Sequence, residues 1–393
     1  MSKSDVSFII IAKAFRVFVF GLVSIMTPIY LALLGYSPFY VGATLMVILA
    51  GNVFSNLLLT WYGDYLGRKK ILLLFSFLMF LSGVLLFSTT YYPLMLLAVF
   101  IGNISTTGTE AGPFQSIETG ILPMLVEEKN ISRMFGIYNF IGYGASSLGA
   151  LAASIPSYFH EDLIVFRLLY FVYGLVGLML FMFYSNLNNI EVSNRSRKKL
   201  ILKEMSSKAR KDILKLSILF SMDAFGGGFV TQSLLSYWFY YTYHASLSNL
   251  GGIFLVANII TAFSIVGASI IAEKIGNLTT MFYSHLLSNI FLILIPLVHS
   301  FPLSVLFLFL RQSVSQMDVP TRQAFMAQIF NDNDRVVANA ITNSFRSVSS
   351  IFGSPISGFL LNLGLITLPI VIGGLSKIIY DVSIFVSYRK EAK

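Results

Sequence analysis

Ionisable side chains interrupt several long apolar stretches of this sequence, and these residues are the best suited to chemistry. The segment QMDVPTRQ at 316–323 places Asp318 and Arg322 four residues apart, so both can lie on one face of a helix. An ionisable group at the centre of a bilayer costs about 2.5–3.5 kcal/mol on insertion scales, and it normally faces a partner or a water-filled cavity. A buried carboxylate can also carry a proton when its pKa approaches neutrality.

The candidates for proton coupling or for lining a cavity all lie inside apolar stretches and have polar or charged side chains. They are Lys13, Arg16, Glu110, Glu118, Asp223, Gln232, Arg311, Asp318, Arg322 and Arg346. Glu110 is the first candidate proton carrier, because the small residues of TTGTEAGP permit close helix approach and little bulk water. Asp223 is the second, beside the possible hinge GGG at 226–228. The alternative for Glu110 is a permanent ion pair with Lys13 or Arg16.

Membrane-spanning helices must position these residues. The 393 residues are 56% hydrophobic and 11% charged, and the mean hydropathy is +0.77. A soluble chain carries about 25% charged residues, so lipid must be the main solvent here. Apolar runs of about 20 residues can cross a bilayer. Twelve such runs are present, at 7–34, 39–62, 71–89, 93–120, 133–155, 163–185, 214–241, 250–272, 279–299, 302–327, 338–361 and 366–387.

Several classes of chemistry lack their residues in this sequence. The absence of cysteine excludes disulfides, thiolate nucleophiles and cysteine metal sites, and the four histidines do not form an HExxH motif. We found no GxxxxGKS/T loop for ATP and no nucleophile–base set, so we expect no cofactor, no metal and no enzymatic activity. The net charge of +9 is typical of basic cytoplasmic loops and does not indicate nucleic-acid binding.

The loops give an orientation and a division of the chain. Lysine and arginine occur in alternate loops, which predicts an integral plasma-membrane protein with both termini in the cytoplasm. Only the segment 186–213 is long, and it carries RSRKK and KARK. It predicts a basic cytoplasmic linker, with binding to anionic lipid headgroups as the sharper alternative. The predicted domains are therefore six-helix bundles at 1–185 and 214–393.

An internal repeat relates the two predicted bundles. WYGDYLGRKKILL at 61–73 corresponds to SIIAEKIGNLTTMF at 269–282, which matches Gly67 with Gly276 and Asp64 with Glu273. A second pair of loops has an acidic turn followed by a helix with an asparagine at the same offset. The sequence therefore predicts an all-α polytopic membrane protein, with 12 transmembrane helices forming two pseudo-symmetric six-helix bundles.

The segment GDYLGRKK resembles the loop-two-three signature of the major facilitator superfamily, and span number, topology and repeat extend the resemblance over the whole chain. The resemblance implies that spans one, four, seven and ten line a central cavity. It also implies a cytoplasmic gate, formed by Gly63, Asp64, Gly67, Arg68, Lys69, Lys70 and Glu273. Two antiporter features of the family, an arginine in span four and a glycine–proline motif in span five, are absent. Their equivalents occur in the second half, as Arg311 and GSPISG at 353–358.

The repeat also suggests partners for some of the charges. Arg322 falls opposite Glu118, which predicts an ion pair between the halves; the alternative is an intrahelical pair with Asp318. Lys377 and Asp381 lie four residues apart and are expected to pair. His285 is expected to be a packed, hydrogen-bonded histidine.

These patterns favour a secondary active transporter that works by alternating access. The leading prediction is proton-coupled export of small organic compounds, and the alternative is uptake or exchange of a small anionic solute. From another class, a non-transporting membrane receptor or scaffold is also possible. The expected partners are a small-molecule substrate, protons as the candidate coupling ion, and membrane lipids, but no nucleic acid. We expect the protein to function as a monomer.

Overall fold

The computed structural model describes residues 3–109, 112–127, 130–187 and 206–389, and the regular structure of these ranges is helical. It contains a 3-10 helix at Ile155–Phe159 and sixteen α-helices. In the first half these are α1 (Lys3–Leu33), α2 (Pro38–Leu66), α3 (Arg68–Ser88), α4 (Tyr92–Ile101), α5 (Pro113–Leu125), α6 (Ile131–Ala152) and α7 (Leu163–Ser185). In the second half they are α8 (Ser207–Gly228), α9 (Gln232–Tyr243), α10 (Leu247–Ile275), α11 (Asn277–Leu297), α12 (Phe301–Ser315), α13 (Asp318–Ile329), α14 (Asp332–Ile351), α15 (Gly353–Asn362) and α16 (Leu368–Tyr388).

Four of the predicted spans are interrupted, and each consists of two helices. They correspond to α4 and α5, α8 and α9, α12 and α13, and α14 and α15. The apolar runs gave the positions of these spans but not their interruptions, because hydropathy does not report local backbone conformation. In the first interruption Gly108 and Gly112 have φ of +74° and +67°, which a helix cannot contain.

Eight helical segments of the described residues are long and apolar enough to cross a membrane. The chain is therefore an all-α membrane protein, as predicted. The number of twelve spans stays a prediction. The helix α14 is not among the eight segments, because polar residues such as Asn339, Asn343 and Arg346 interrupt its apolar sequence.

The chain divides into two compact units that differ from a simple split at the middle of the sequence. Unit 1 comprises residues 1–195 and 231–256, and unit 2 comprises 196–230 and 257–393. The predicted linker falls mostly on 188–205, which lies outside the described residues. Its last part is helical, because α8 begins at Ser207 and the Ser206 hydroxyl accepts the Ala209 N–H at 3.1 Å.

Close helix packing in unit 1 depends on small residues. A Cβ atom added to Gly83 in α3 would lie only 2.4 Å from backbone atoms of Gly174 in α7. The same addition at Gly149 in α6 would lie 1.9 Å from the carbonyl oxygen of Phe18 in α1. Such backbone-to-backbone approach is typical of helices that associate within a membrane.

The two loops aligned by the internal repeat share one backbone geometry. Gly67 precedes α3 with φ 84° and ψ 149°, and Gly276 precedes α11 with φ 85° and ψ 157°. Only glycine adopts this region readily. The structure thus agrees with the predicted correspondence between Gly67 and Gly276.

Candidate functional site

The interruption between α4 and α5 contains irregular backbone inside unit 1. Such backbone is tolerated at membrane depth only where protein or water satisfies its polar groups. Here the Asn52 side chain donates to the Ile104 carbonyl at 2.8 Å, and the Ser146 hydroxyl donates to the Gly108 carbonyl at 2.6 Å. Neighbouring helices therefore hold the segment in its unwound form. Glu110, the first candidate proton carrier, belongs to this interruption but lies outside the described residues, so its role stays a prediction.

A fully buried ion pair joins Arg16 of α1 to Glu118 of α5. Nη1 and Nη2 of Arg16 donate to Oε1 and Oε2 of Glu118 at 2.8 and 2.7 Å, and both side chains are 0% exposed. The Tyr184 hydroxyl donates to Oε1 at 2.5 Å, and the Tyr138 hydroxyl donates to Oε2 at 2.7 Å. Four donors around one carboxylate satisfy its buried oxygens and connect α1, α5, α6 and α7.

Glu118 thus has a different partner from the one that the repeat suggested. Arg16, rather than Arg322, holds both carboxylate oxygens. Both residues were candidates, but the sequence offers no spacing that pairs them across 102 positions. Tyr138 and Tyr184 were missed, because tyrosine in an apolar helix is ordinarily a packing residue.

Lys13 lies one turn before Arg16 on α1, and its side chain is buried. Its Nζ is 3.3 Å from the centroid of the Tyr138 ring, and Lys13 is 2% exposed. This distance is typical of a cation–π contact. Because the hydroxyl of the same Tyr138 binds Glu118, one aromatic side chain connects Lys13 to the buried ion pair.

Gln232, a candidate for substrate contact, is buried in unit 1. Its Nε2 donates to the Ser24 hydroxyl at 2.9 Å, and the neighbouring Ser233 hydroxyl donates to the Ser24 carbonyl at 2.6 Å. A Cβ at Gly108 would lie 2.4 Å from Gln232 Nε2, so the unwound segment makes room for this side chain. In this structure Gln232 attaches α9 to α1.

Three cations converge on Asp223 in unit 2. Lys377 Nζ lies 2.6 Å, and Arg346 Nη1 3.0 Å, from the two carboxylate oxygens. Arg322 Nη1 lies 3.6 Å from the second of these oxygens. Asp223 is 3% exposed, so these cations compensate the cost of burying its charge. The candidates Asp223, Arg322 and Arg346 therefore belong to one cluster.

The pair within QMDVPTRQ forms inside α13. Arg322 Nη1 donates to Asp318 Oδ2 at 2.9 Å, which is the intrahelical alternative. Pro320 lies in the first turn of α13, because the helix begins at Asp318. A proline in the first turn removes an N–H that has no intrahelical partner, so it need not bend a helix there.

A histidine lies between two carboxylates in the same unit. His285 Nδ1 is 2.6 Å from Asp381 Oδ1, and Nε2 is 3.6 Å from Asp223 Oδ1. Asn289 Nδ2 donates to Asp381 Oδ2 at 2.8 Å. His285 is buried and hydrogen-bonded, as predicted. The expected pair of Lys377 with Asp381 was wrong, since Lys377 binds Asp223 and Asp381 binds His285 and Asn289.

Arg311 of α12 has a different environment from the other basic candidates. Its Nη1 donates to Oε1 of the adjacent Gln312 at 2.7 Å. Within the described ranges, Arg311 forms no salt bridge with an acidic side chain. Its guanidinium therefore lies outside the Asp223 cluster.

The predicted gate residues occupy the region between α2 and α3 and the end of α10. Arg68 Nη1 donates to the Gly120 carbonyl of α5 at 3.1 Å, and Lys69 Nζ donates to the Leu187 carbonyl at 2.8 Å. Lys70 and Glu273 are exposed. Gly63 and Asp64 lie in α2, but the side chain of Asp64 is outside the described part of the chain. The cytoplasmic gate that the resemblance implies stays a prediction.

Irregular breaks in membrane helices, with buried charged clusters beside them, are the architecture of a secondary transporter. The family comparison agrees with this class. The model of the Major Facilitator Superfamily matches residues 9–311 and 234–392. The chain belongs to the Major Facilitator Superfamily.

Individual relatives are distant in sequence. The uncharacterized membrane protein YJR124C of Saccharomyces cerevisiae is 26% identical, over 95% of this chain and 91% of that protein. A variant of the nucleoside transporter NupG has a TM-score of 0.80 and 14% identity, over 98% of this chain and 100% of the other. A D-xylose-proton symporter has a TM-score of 0.71 and 16% identity, over 95% and 96%. The family and fold identify a membrane transporter rather than an enzyme, while the solute differs among these neighbours.

Proposed function

We propose that this secondary transporter moves small organic compounds in exchange for protons, and that His285 carries the coupling proton. The observation behind this proposal is the position of His285 between the carboxylates of Asp381, at 2.6 Å, and Asp223, at 3.6 Å. Imidazole exchanges protons near neutral pH, and each of its two nitrogens can face a different partner. A proton can therefore pass between two buried acids through one side chain.

The cations around Asp223 make it a poor carrier by itself. Lys377 and Arg346 stabilise its ionised form, whereas Asp381 contacts a histidine and an amide. If the distance between Lys377 and Asp223 changed, the net charge next to the His285 ring would change. We therefore propose that helix movement in unit 2 changes the protonation of the pair His285–Asp381.

The test is a solute screen in proteoliposomes, with and without an imposed proton gradient. We expect a solute to accumulate only when the gradient is present. The variant His285→Gln should lose this accumulation, yet it should retain exchange of the same solute without a gradient. His299→Asn is the matched control, because His299 is exposed and bonds only within its own turn.

Two outcomes would contradict the assignment. Undiminished accumulation by His285→Gln, with unchanged pH dependence, would exclude His285 as the carrier. If Glu110→Gln lost gradient-driven accumulation and His285→Gln did not, the proton carrier would be Glu110, which was the first prediction from the sequence. A chain that moves no solute under any gradient would behave as a receptor or scaffold, and it would refute the transport proposal.

Export is our proposed direction, in a plasma membrane with both termini in the cytoplasm. It rests on the alternating basic loops and on the apolar and aromatic composition, which suits a permissive cavity. The chain has no cysteine, so a single cysteine at exposed Lys70 or Glu273 can be labelled with an impermeant thiol reagent in intact cells. Labelling without permeabilisation would contradict this orientation. Proton-driven movement of the solute in the opposite direction, into the cytoplasm, would instead favour uptake.

A further inference from the structure

We propose that a cavity between the start of α7 and the end of α9, beside Glu161, binds an organic ammonium ion. The residues of its wall belong to unit 1. The proposal therefore goes beyond the transport function proposed above and does not rest on it, since the His285 cluster lies in unit 2.

The cavity has a volume of about 640 Å³. Its described wall consists of Glu161, Tyr240, Tyr241, His244, Ala245 and Ser246. Ligand pockets in proteins have volumes of about 300–1,000 Å³, so the space is large enough for a small organic molecule. Tyr241 and His244 are exposed, so the cavity opens at the surface of unit 1.

Backbone hydrogen bonds hold the two sides of this wall together. The N–H of Glu161 donates to the Pro156 carbonyl at 2.8 Å, which closes the turn before α7. The Ser157 hydroxyl accepts the N–H of Ser248, in the first turn of α10, at 3.1 Å. The segment that carries Glu161 is therefore tied to the segment that follows α9.

Glu161 has a backbone conformation that is unusual for its residue type. Its φ is +56°, in the left-handed region, where glycine and asparagine are the common residues. Glycine would fit with less strain, so the backbone alone does not account for a glutamate here. The side chain is half-buried in the cavity wall, and its carboxylate forms no hydrogen bond or salt bridge with another described residue.

The charge around the cavity favours a cation. The loops at 153–162 and 244–249 contain no lysine or arginine. The nearest base along the chain, Arg167, donates from Nε to the Phe87 carbonyl at 2.6 Å. The helix α9 ends beside the cavity, and the partial negative charge of a helix C-terminus adds to the attraction of Glu161 for a cation. A neutral imidazole at His244 accepts hydrogen bonds and does not oppose a cation.

Two tyrosine rings favour an organic ammonium ion over a metal ion. Tyr240 and Tyr241 both line the cavity, and Glu161 lies close enough to Tyr240 for an electrostatic interaction. The faces of aromatic rings attract cations, and groups of such rings recognise quaternary ammonium compounds. Hard metal ions instead need several oxygen ligands, whereas the described wall offers one carboxylate.

The experiment compares choline with 3,3-dimethylbutan-1-ol, which has the same shape but a carbon atom in place of the charged nitrogen. Each compound is titrated into the purified full-length protein at pH 8, above the range in which imidazole ordinarily gains charge. We expect choline to bind wild type at least about tenfold more tightly than the alcohol, because cation–π contacts and a carboxylate add to its attraction.

The variants separate the wall of the cavity from its surroundings. Glu161→Gln should weaken choline binding about tenfold. Asp162→Asn is the matched control and should match wild type, because Asp162 is the adjacent acid but not part of the described wall, and asparagine also caps α7. Tyr240→Leu should weaken binding about threefold, whereas Tyr240→Phe retains the ring and should match wild type.

A glycine at position 161 distinguishes binding from folding. Glycine adopts a φ of +56° readily, so Glu161→Gly should not lower the Tm of the protein. It should nevertheless weaken choline binding as much as Glu161→Gln does. A Glu161→Gly variant that binds choline as well as wild type would overturn the role of the carboxylate.

Equal affinity for choline and the neutral alcohol, or absence of choline binding to wild type, would overturn the proposal without any variant. Equal weakening by Glu161→Gln and Asp162→Asn would show a general attraction to negative charge and would refute this site. Unchanged affinity in Tyr240→Leu would do the same, even if Glu161→Gln failed to fold. The transport proposal can fail separately, since choline binding does not require any solute to move under a proton gradient.

Discussion

The buried pair of Arg16 and Glu118 allows a prediction with a defined magnitude. The variant Glu118→Gln keeps the size of the side chain but removes its charge, and it points an amide group at donors of Arg16 or of a tyrosine. Arg16 is fully buried, so its charge would remain without compensation. Removing one partner of a buried ion pair costs about 3–5 kcal/mol. For a domain of 150–250 residues, each kcal/mol lowers Tm by about 2–4 °C, so we expect a fall of about 6–20 °C.

The assay is thermal unfolding of the purified protein in detergent, measured for a double-mutant cycle. The single variants are Glu118→Gln and Arg16→Met, and the double variant removes both charges. Replacement of a whole buried ion pair costs less than removal of one partner. The double variant should therefore be more stable than either single variant, so the coupling free energy should exceed the larger single loss and reach at least about 3 kcal/mol. Ser116→Ala, at an exposed position of the same helix, is the control and should match wild type.

Two results would refute this reasoning. A fall in Tm below about 2 °C for Glu118→Gln would show that water reaches the pair, since solvated pairs contribute about 0–1 kcal/mol. A double variant whose loss equals the sum of the single losses would show that the two residues act independently.

Two further predictions concern glycines. Gly83→Ala should lower the yield of folded protein and its Tm, because the added Cβ would meet the backbone of Gly174, which cannot move aside; Gly252→Ala, with no atom within 4 Å, is the control for the same measurements. Gly276→Ala should destabilise unit 2 by about 1–3 kcal/mol in thermal unfolding, because its φ of 85° strains any residue with a Cβ; Gly144→Ala, which lacks that backbone strain, should show no such loss.

Much of the fold follows from hydropathy and from the repeat. The apolar runs predicted an all-helical membrane protein, and the correspondence of Gly67 with Gly276 is visible as one shared backbone geometry. The breaks in the helices were not predicted, because hydropathy averages over about 20 residues. The spacing of Gly102, Gly108, Gly112 and Pro113, with threonines between them, was the available signal for the first break.

The sequence indicated charged residues inside the apolar runs, but it indicated only one of their pairs, Asp318 with Arg322. Charges inside apolar runs identified Arg16, Glu118, Asp223 and Arg322 as candidates, and each of them lies within reach of an opposite charge in the structure. Partners far apart in the chain depend on tertiary packing, which spacing does not report. The i,i+4 rule found the pair of Asp318 with Arg322, but it failed for Lys377 and Asp381. There a carboxylate on another helix, Asp223, binds the lysine instead.

The two units compensate their buried charges in different ways. In unit 1 one arginine and two tyrosine hydroxyls donate hydrogen bonds to Glu118, so the charge of Arg16 has a fixed partner within the unit. In unit 2 the cations gather on Asp223, while Asp381 depends on His285, whose own charge can change. A buried ion pair whose groups are all hydrogen-bonded suits the packing of helices, and a histidine between two carboxylates suits the proton transfer that we propose. Under the proposed function, neutralising His285 should therefore impair coupling to protons, whereas neutralising Glu118 should impair the stability of unit 1.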